Sequence, residues 1–227
     1  MIHPRAVLFD AYGTLFDVYS VGQLAESLFP GQGNALSVLW RDKQIEYTRL
    51  VTTSNDGKHY QPFWELTRAG LRYAAKKLKL GLDEEREGAL MNQYLSLTAY
   101  PENIEVMREL RSRGVVTGVL SNGSPAMLQA VVRSAGLDGL LDHLLSVDVV
   151  GKYKTHPEAY ALGPQATGLD VGQIGFVSCN AWDALAAGWF GYRTLWVNRF
   201  GLPFEELGSA PDHEGSSLRD VFVFFDS

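Results

Sequence analysis

Residues 7–16 read VLFDAYGTLF and open the chain almost at once. An apolar run ends in the carboxylate of Asp10, and Gly13 and Thr14 follow, which is typical of a buried strand that turns at its carboxyl end. In open α/β sheets, ligands bind at that edge. Many phosphate-handling enzymes carry a second aspartate two positions after the first, and here that position is Tyr12. The stretch therefore predicts a sheet edge with one acid where two are common.

Outward from this stretch, short apolar runs alternate with helical segments. The runs cover residues 6–9, 115–120, 144–147, 174–178, 194–197 and 221–225, and the helical patterning covers 102–113, 124–135, 157–168 and 181–190. Continuous apolarity suits strands that are buried on both faces of a parallel sheet. Ser124 and Pro125 are favourable residues at the start of a helix. The pattern predicts an α/β fold with a Rossmann-like, doubly wound parallel sheet.

The interval 18–98 breaks this alternation, because it contains helical patterning and no convincing strand. The connection TTSNDGKH (52–59) separates two apolar stripes. The first stripe comprises Leu36, Leu39, Trp40, Tyr47 and Leu50, and the second comprises Leu66, Leu71, Ala74, Ala75 and Leu78. These are either extra helices on the sheet or, as we favour, an inserted α-helical cap subdomain over the strand ends. We therefore expect a catalytic core of 1–17 and 99–227, a cap of 18–98, and a polar surface loop at 208–217.

The charge balance and the cysteine content indicate which binding partners and which compartment to expect. Twenty basic and 26 acidic residues give a net charge of −6, so we expect neither nucleic-acid nor membrane binding, and an anionic substrate needs a local basic cluster. Cys179 is the only cysteine, which excludes an internal disulfide and favours a cytoplasmic location. We find no signal-peptide pattern and no bilayer-length apolar run. The five histidines are scattered, so a zinc site is not expected.

Polar residues follow the predicted strands at four places. The residues are Asp10 after the first strand, Ser121 and Asn122 after the second, Lys152 and Lys154 with Tyr160 beyond them, and Ser178, Asn180 and Asp183 after the fourth. Each has an ordinary explanation when it is taken alone, such as a turn, a cap or a solvated lysine. Because the carboxyl ends of parallel strands meet at one edge, their order along the chain predicts a common site.

Four motifs carry a resemblance to a known family. FDAYGT (9–14), LSNGS (120–124), KTHPEAY (154–160) and SCNAWDA (178–184) resemble the ordered motifs of the haloacid dehalogenase superfamily. Within it the chain is most similar to the L-2-haloacid dehalogenases, and LWRDKQIEYT (39–48) extends the likeness into the helical interval. The resemblance covers nearly the whole chain.

The residues themselves distinguish two chemistries within that superfamily. Its phosphatases use two aspartates around one intervening residue, and carboxylates hold a magnesium ion. Here Tyr12, Ser178 and Asn180 stand at positions where acids would be expected, which leaves too few ligands for a metal site. A departing halide needs no proton, so a general acid would be idle. Dehalogenation is favoured, and the alternatives are a Mg-dependent phosphatase and a non-catalytic relative that binds a small carboxylate.

The resemblance implies a mechanism without a cofactor. Asp10 is the nucleophile that displaces halide from C2 of a short-chain L-2-haloalkanoic acid and forms an ester. Water then hydrolyses the ester, and a D-2-hydroxy acid of inverted configuration leaves. The resemblance assigns the water to Asp183 and the pairing of the carboxylates to Lys154. Ser178 and Asn180 are expected to orient these groups. Thr14 is expected to hold Asp10 by a hydroxyl hydrogen bond, although a turn-capping role predicts the same residue at this position.

The same resemblance implies a binding site for the haloacid and the released halide. The residues expected there are Ser121 and the backbone near Tyr12 and Asn122 for the carboxylate, Arg41 and Asn122 for the halide, Phe63 and Trp182 as ring contacts, and Tyr160 in the same binding group. Arg41 flanks the apolar stripe of its helix, so it can point from the cap into the crevice. Asp42 and Thr155 depart from the usual family pattern, and an acid at 42 is expected to weaken affinity. A homodimer is also implied.

Overall fold

The computed structural model describes residues 3–226 and contains a parallel sheet of six strands. The strands are β1 Ala6–Phe9, β2 Val116–Ser121, β3 His143–Ser146, β4 Ile174–Ser178, β5 Arg193–Val197 and β6 His213–Gly215. Their order is β3-β2-β1-β4-β5-β6. The order reverses at β1, which lies between β2 and β4, so the crevice for a ligand opens beyond Phe9. The predicted doubly wound α/β fold is confirmed.

Both faces of the sheet are covered, which explains the unbroken apolarity of the strands. Val7 and Phe9 join one core cluster, and Ala6 and Leu8 join the cluster on the other face. Nine helices lie among residues 3–226. They are α1 Gly22–Leu28, α2 Gly33–Thr53, α3 Phe63–Lys77, α4 Glu84–Gln93, α5 Asn103–Ser112, α6 Pro125–Ser134, α7 Pro157–Thr167, α8 Ala181–Phe190 and α9 Val223–Asp226.

The helices α1 to α4 fill the interval between β1 and β2, and we call residues 18–98 the helical insertion. The chain enters and leaves it at one place, because the Asp17 amide donates to Thr98 O (2.8 Å) and the Tyr100 amide donates to Leu15 O (3.1 Å). Helices α2 and α3 pack together, and Trp40 Nε1 donates to Thr67 O at 2.7 Å. The predicted stripe on α2 is wrong at its end, since Leu50 is 55% exposed.

The prediction for the carboxyl-terminal part is also wrong. Residues 221–225, expected as a strand, belong to the 3₁₀ helix Leu218–Phe222 and to α9. The expected loop at 208–217 instead contains β6, which pairs only with β5 among the described residues. A capping box of Ser217 and Asp220 starts the helical turn. β6 is a three-residue edge strand with a half-exposed surface, so it carries no apolar run by which it could be recognised.

None of the helices in residues 3–226 combines the length and the apolarity that crossing a membrane requires.

Candidate active site

The turn after β1 places Asp10 at the carboxyl edge of the sheet. The Asp10 amide still pairs with the sheet, donating to Val177 O of β4 at 2.9 Å. Gly13 then adopts φ +99°, and a Cβ there would lie 2.9 Å from Cys179 Sγ. Only glycine combines this backbone with this close approach. The turn directs Asp10 and Thr14 toward the same space.

Three side chains from separate segments hold the Asp10 carboxylate. Oδ2 accepts hydrogen bonds from Thr14 Oγ1 (3.1 Å) and Asn180 Nδ2 (2.8 Å), and Oδ1 accepts from Lys154 Nζ (3.1 Å). Thr14 is itself fixed, because its hydroxyl accepts from the Cys179 amide at 2.8 Å. The carboxylate is therefore oriented at both oxygens, although Asp10 keeps 6% of its surface exposed.

Lys154 joins Asp10 to a second carboxylate. Its Nζ lies 2.9 Å from Asp183 Oδ2, which also accepts from Ser178 Oγ at 3.1 Å. Burial lowers the pKa of Lys154, but the charges of the two aspartates outweigh burial and raise that pKa above its ordinary value. Burial raises the pKa of Asp183, and Lys154 opposes that rise. The ammonium group thus stands between two buried acids and compensates their mutual repulsion.

Tyr160 differs from its predicted place. It does not line the cavity beside Asp10; its hydroxyl donates to Asp183 Oδ1 at 2.7 Å. Because α7 covers the face of the sheet opposite the helical insertion, the ring packs there against Phe176. We therefore correct its assignment from a substrate contact to a support for Asp183.

A small cavity opens beside Asp10. It is lined by Asp10, Tyr12, Arg41, Ile45, Thr48, Phe63, Ser121, Asn122, Asn180 and Trp182. All of these except Ile45 and Thr48 were predicted site residues. The two that were missed follow Arg41 at four and seven positions, which is the spacing of one helix face. Lys154, Asp183, Ser178 and Thr14 do not line the cavity, but they contact Asp10 directly or through Lys154 and Asp183.

Arg41 points from α2 into the core, as its helical position predicted. Its guanidinium donates to Tyr12 O at 3.2 Å and to Asn180 Oδ1 at 3.4 Å. It also donates to Gln44 Oε1 at 2.7 Å, and Gln44 is buried. Gln44 was not predicted, although its position one turn after Arg41 was a usable signal. The following residue, Asp42, is exposed and does not line the cavity.

Aromatic rings form the apolar wall. The rings of Tyr12 and Phe63 lie 5.5 Å apart, and Phe63 also contacts Tyr153 with ring centroids 6.1 Å apart. Tyr12 stands at the sequence position where many phosphate-handling enzymes carry a second acid, and its ring forms part of the aromatic wall. Its hydroxyl is buried and has no hydrogen-bond partner among residues 3–226.

The second strand supplies two polar residues to the cavity. Asn122 Oδ1 accepts from the Lys154 amide at 2.9 Å, which leaves the Asn122 amide nitrogen available to the cavity. Ser121 Oγ accepts from the Gly123 amide at 3.1 Å, so its own proton is free to be donated.

Within the described residues, no group of three or more His, Cys, Asp or Glu side chains could hold a metal ion.

Fold and site together define a doubly wound α/β protein with a hydrogen-bonded aspartate at the carboxyl edge of its sheet. A model of the haloacid dehalogenase-like hydrolase family matches residues 4–191. The (S)-2-haloacid dehalogenase of Pseudomonas sp. (strain YL) is 46% identical over 227 residues, which is 100% of this chain and 97% of that protein. The chain therefore belongs to the haloacid dehalogenase family, among the L-2-haloacid, or (S)-2-haloacid, dehalogenases.

Solved structures agree with this placement. A crystal structure of an L-2-haloacid dehalogenase has a TM-score of 0.97 and 54% identity, covering 99% of this chain and 100% of that one. The L-2-haloacid dehalogenase from Xanthobacter autotrophicus with chloropropionic acid covalently bound has a TM-score of 0.91 and 34% identity, covering 99% and 100%.

Proposed function

We propose that this protein hydrolyses short-chain L-2-haloalkanoic acids to halide and D-2-hydroxy acids, with Asp10 as the nucleophile and without a cofactor. The proposal rests on the contacts of the Asp10 carboxylate and on the cavity beside it. Its carboxylate is held by Lys154 and Asn180 and borders a cavity walled by aromatic rings and by Arg41. A carboxylate fixed in this way beside an apolar wall suits attack on saturated carbon.

In the first step, an Asp10 oxygen attacks C2 of the substrate from the side opposite the halogen. The C–O bond forms as the carbon–halogen bond breaks, and the halide leaves with the bonding electron pair. The configuration at C2 is inverted. Arg41 and Asn122 stabilise the departing halide, and the rings of Phe63 and Trp182 provide its apolar contacts. The covalent chloropropionic acid complex of the relative supports an ester of this kind.

The substrate carboxylate needs hydrogen-bond donors of its own. The hydroxyl of Ser121 and backbone amides near Tyr12 and Asn122 supply them at the carboxyl ends of β1 and β2. This placement turns C2 toward Asp10, because the binding groups and the nucleophile lie on neighbouring strands.

In the second step, water adds to the carbonyl carbon of the ester, the hydroxy acid leaves, and the Asp10 carboxylate returns. Asp183 activates or orients this water, and burial makes it a stronger base than an ordinary aspartate by raising its pKa. Lys154 stays charged and compensates the acids in both steps. Ser178 holds Asp183, while Thr14 and Asn180 keep the ester in place.

The substitution Asp10→Asn tests the nucleophile, with Asp138→Asn as a matched control at an exposed aspartate after α6. We expect no sustained halide release from L-2-chloropropionate by the first variant and near-normal release by the second. A single turnover in H₂¹⁸O should place the label in Asp10. Label that appears first in the hydroxy acid would instead show direct attack by water on C2.

A phosphatase assay separates the proposal from the Mg-dependent alternative. Hydrolysis of p-nitrophenyl phosphate that EDTA abolishes would favour the phosphatase. We expect no such activity, because Tyr12, Ser178 and Asn180 stand where further acids would be needed, and no group of three or more His, Cys, Asp or Glu side chains among residues 3–226 could hold a metal ion.

The proposal extends to the role of the helical insertion, the oligomeric state and the location of the enzyme. We propose that the helical insertion acts as a cap subdomain and that the protein works as a homodimer in the cytoplasm. The exposed apolar side chains Val38, Leu50 and Tyr73 lie on α2 and α3 and support pairing through the insertion. Light scattering tests this, and a monomer at micromolar concentration would contradict it.

A further inference from the structure

Arg49 is an exposed residue of the helical insertion, and its guanidinium group contacts the ring of Trp182. Its Cζ lies 5.2 Å from the ring centroid of Trp182, which belongs to α8 of the core. Among residues 3–226 no carboxylate lies within ion-pair distance of Arg49, whereas Lys43, Arg68 and Arg72 of the same insertion each pair with a glutamate. Arg49 therefore offers an uncompensated positive charge.

The position of Arg49 relates this charge to the cavity. Arg41, Ile45 and Thr48 line the cavity from α2, and Arg49 follows them, one turn beyond Ile45. Trp182 lines the cavity too, but it is only half-buried. The contact between Arg49 and Trp182 thus lies where the cavity wall meets solvent, and it joins the insertion to the core.

The chemistry of this contact leaves the guanidinium able to bind an anion. A guanidinium that stacks on an aromatic ring uses its face, so the N–H groups at its edge remain free for a carboxylate. The whole chain carries a net charge of −6, so its overall field repels a haloacid anion. A local cation at the entrance reverses that effect over about one Debye length, which is ~8–10 Å at physiological salt.

We infer that Arg49 is the recruiting residue of this site: it attracts the carboxylate of the incoming haloacid at the mouth and delivers it past Trp182 toward Asp10. The inference rests on the proposed function for the identity of the anion. Arg49 takes no part in the chemical steps, so its contribution belongs to substrate capture.

A charge series at this position tests the inference. The variants Arg49→Lys, Arg49→Gln and Arg49→Glu are assayed for kcat/KM with L-2-chloropropionate at about 10 mM and about 500 mM ionic strength. At low salt we expect kcat/KM to fall about three-fold for Gln and about ten-fold for Glu, with Lys between the parent and Gln. The loss is expected in KM, and the variants should converge at high salt.

The control variants are Arg133→Gln and Arg133→Glu, which change the net charge equally. Arg133 is exposed in the last turn of α6, at the end of the sheet opposite the site. We expect no more than a small change in kcat/KM from these controls. Equal losses in the Arg49 and Arg133 series would show a general field effect and overturn the inference. Equal losses for Arg49→Lys, Gln and Glu at both salt concentrations would show a structural contact instead, with the same consequence.

Binding of propionate separates this inference from the proposed function. Propionate carries the carboxylate without a halogen, and its binding is followed by tryptophan fluorescence. If the parent protein releases no halide from any 2-haloacid, the proposed function fails. The affinity for propionate should still decrease from the parent through Arg49→Lys and Arg49→Gln to Arg49→Glu. If the parent does not bind propionate, or if all Arg49 variants bind it equally, the inference about Arg49 is wrong.

Discussion

The substitution Lys154→Met tests how the buried pair of carboxylates is held. Nζ lies 3.1 Å from Asp10 Oδ1 and 2.9 Å from Asp183 Oδ2, and none of the three side chains is more than 8% exposed. Methionine keeps most of the side-chain volume and removes the charge. The variant therefore holds two acids in one buried site without the cation between them.

The magnitude follows from the burial of the pair. Removing one partner of a buried ion pair costs about 3–5 kcal/mol. Uptake of a proton by one of the two carboxyls relieves this cost, so the pKa of that carboxyl in the variant is raised well above the ordinary aspartate value. Burial already raises the pKa of Asp183 in the parent, and the loss of Lys154 raises it further.

The sign of the pH dependence is determined by the same shift. A carboxyl group whose pKa is raised by folding loses stability as pH rises from its unfolded value toward its folded value. The free energy of unfolding of the variant should therefore fall from about pH 4, near the ordinary aspartate pKa, through neutral pH, and level off once the carboxyl of the folded state has ionised. In the parent, the raised pKa of Lys154 keeps its contribution present throughout this range, because that contribution is lost only in strongly alkaline solution.

The assay is urea unfolding, followed by tryptophan fluorescence, across this pH range. The control is Lys152→Met, because Lys152 pairs with Asp56 and Glu158 at the surface and its loss should change stability little at any pH. The double substitution Lys154→Met/Asp183→Asn should remove the pH dependence. A deficit for Lys154→Met below about 1 kcal/mol, or one that does not vary with pH, would refute the reasoning.

Three further substitutions test the surroundings of the site. Tyr160→Phe removes the 2.7 Å donor to Asp183 and raises the pKa of that carboxyl, so the acid limb of turnover should move up by about one pH unit; an unmoved limb contradicts this. Tyr12→Phe removes a buried hydroxyl without a partner, so thermal unfolding should show no loss and up to about 1 kcal/mol of gain. Gly163→Ala places a Cβ against the Tyr192 hydroxyl and 2.7 Å from Leu8 Cδ1 of β1 and should cost about 1–3 kcal/mol, whereas Gly172→Ala, which meets nothing within 4 Å, should cost less; equal costs would contradict the clash.

The strands of the inner sheet were predictable because burial on both faces leaves only apolar residues acceptable. Residues 6–9 and 174–178 match β1 and β4 in full. β6 was not predictable on this ground, since an edge strand of three residues is held by its pairing with β5 and not by burial. The error at 221–225 has a related cause. Val221 and Phe224 are buried at helical spacing, and a short apolar run does not by its composition distinguish a strand from a helical turn.

The candidate site was predictable where a side chain ends a strand or directly follows it. Asp10 and Ser121 needed only the expectation that parallel strands end at a common edge. Arg41 needed one further step, the angle around its helix. Gln44 and Tyr160 were missed or misplaced, because both act through a partner: Gln44 on Arg41, and Tyr160 on Asp183 from the opposite face of the sheet.

Local sequence thus determined which residues form the inner strands, that one acid follows the first of them, and that a helical interval follows that acid. The tertiary structure alone decided that Lys154 stands between Asp10 and Asp183 and that Arg41 reaches Asn180. The residues of these contacts lie 144, 29 and 139 positions apart in the chain. The spacing of apolar residues along the sequence indicates only which side chains are neighbours within a helical turn or a strand. The distances between atoms that are remote in the chain depend on how the sheet and the helical insertion pack together.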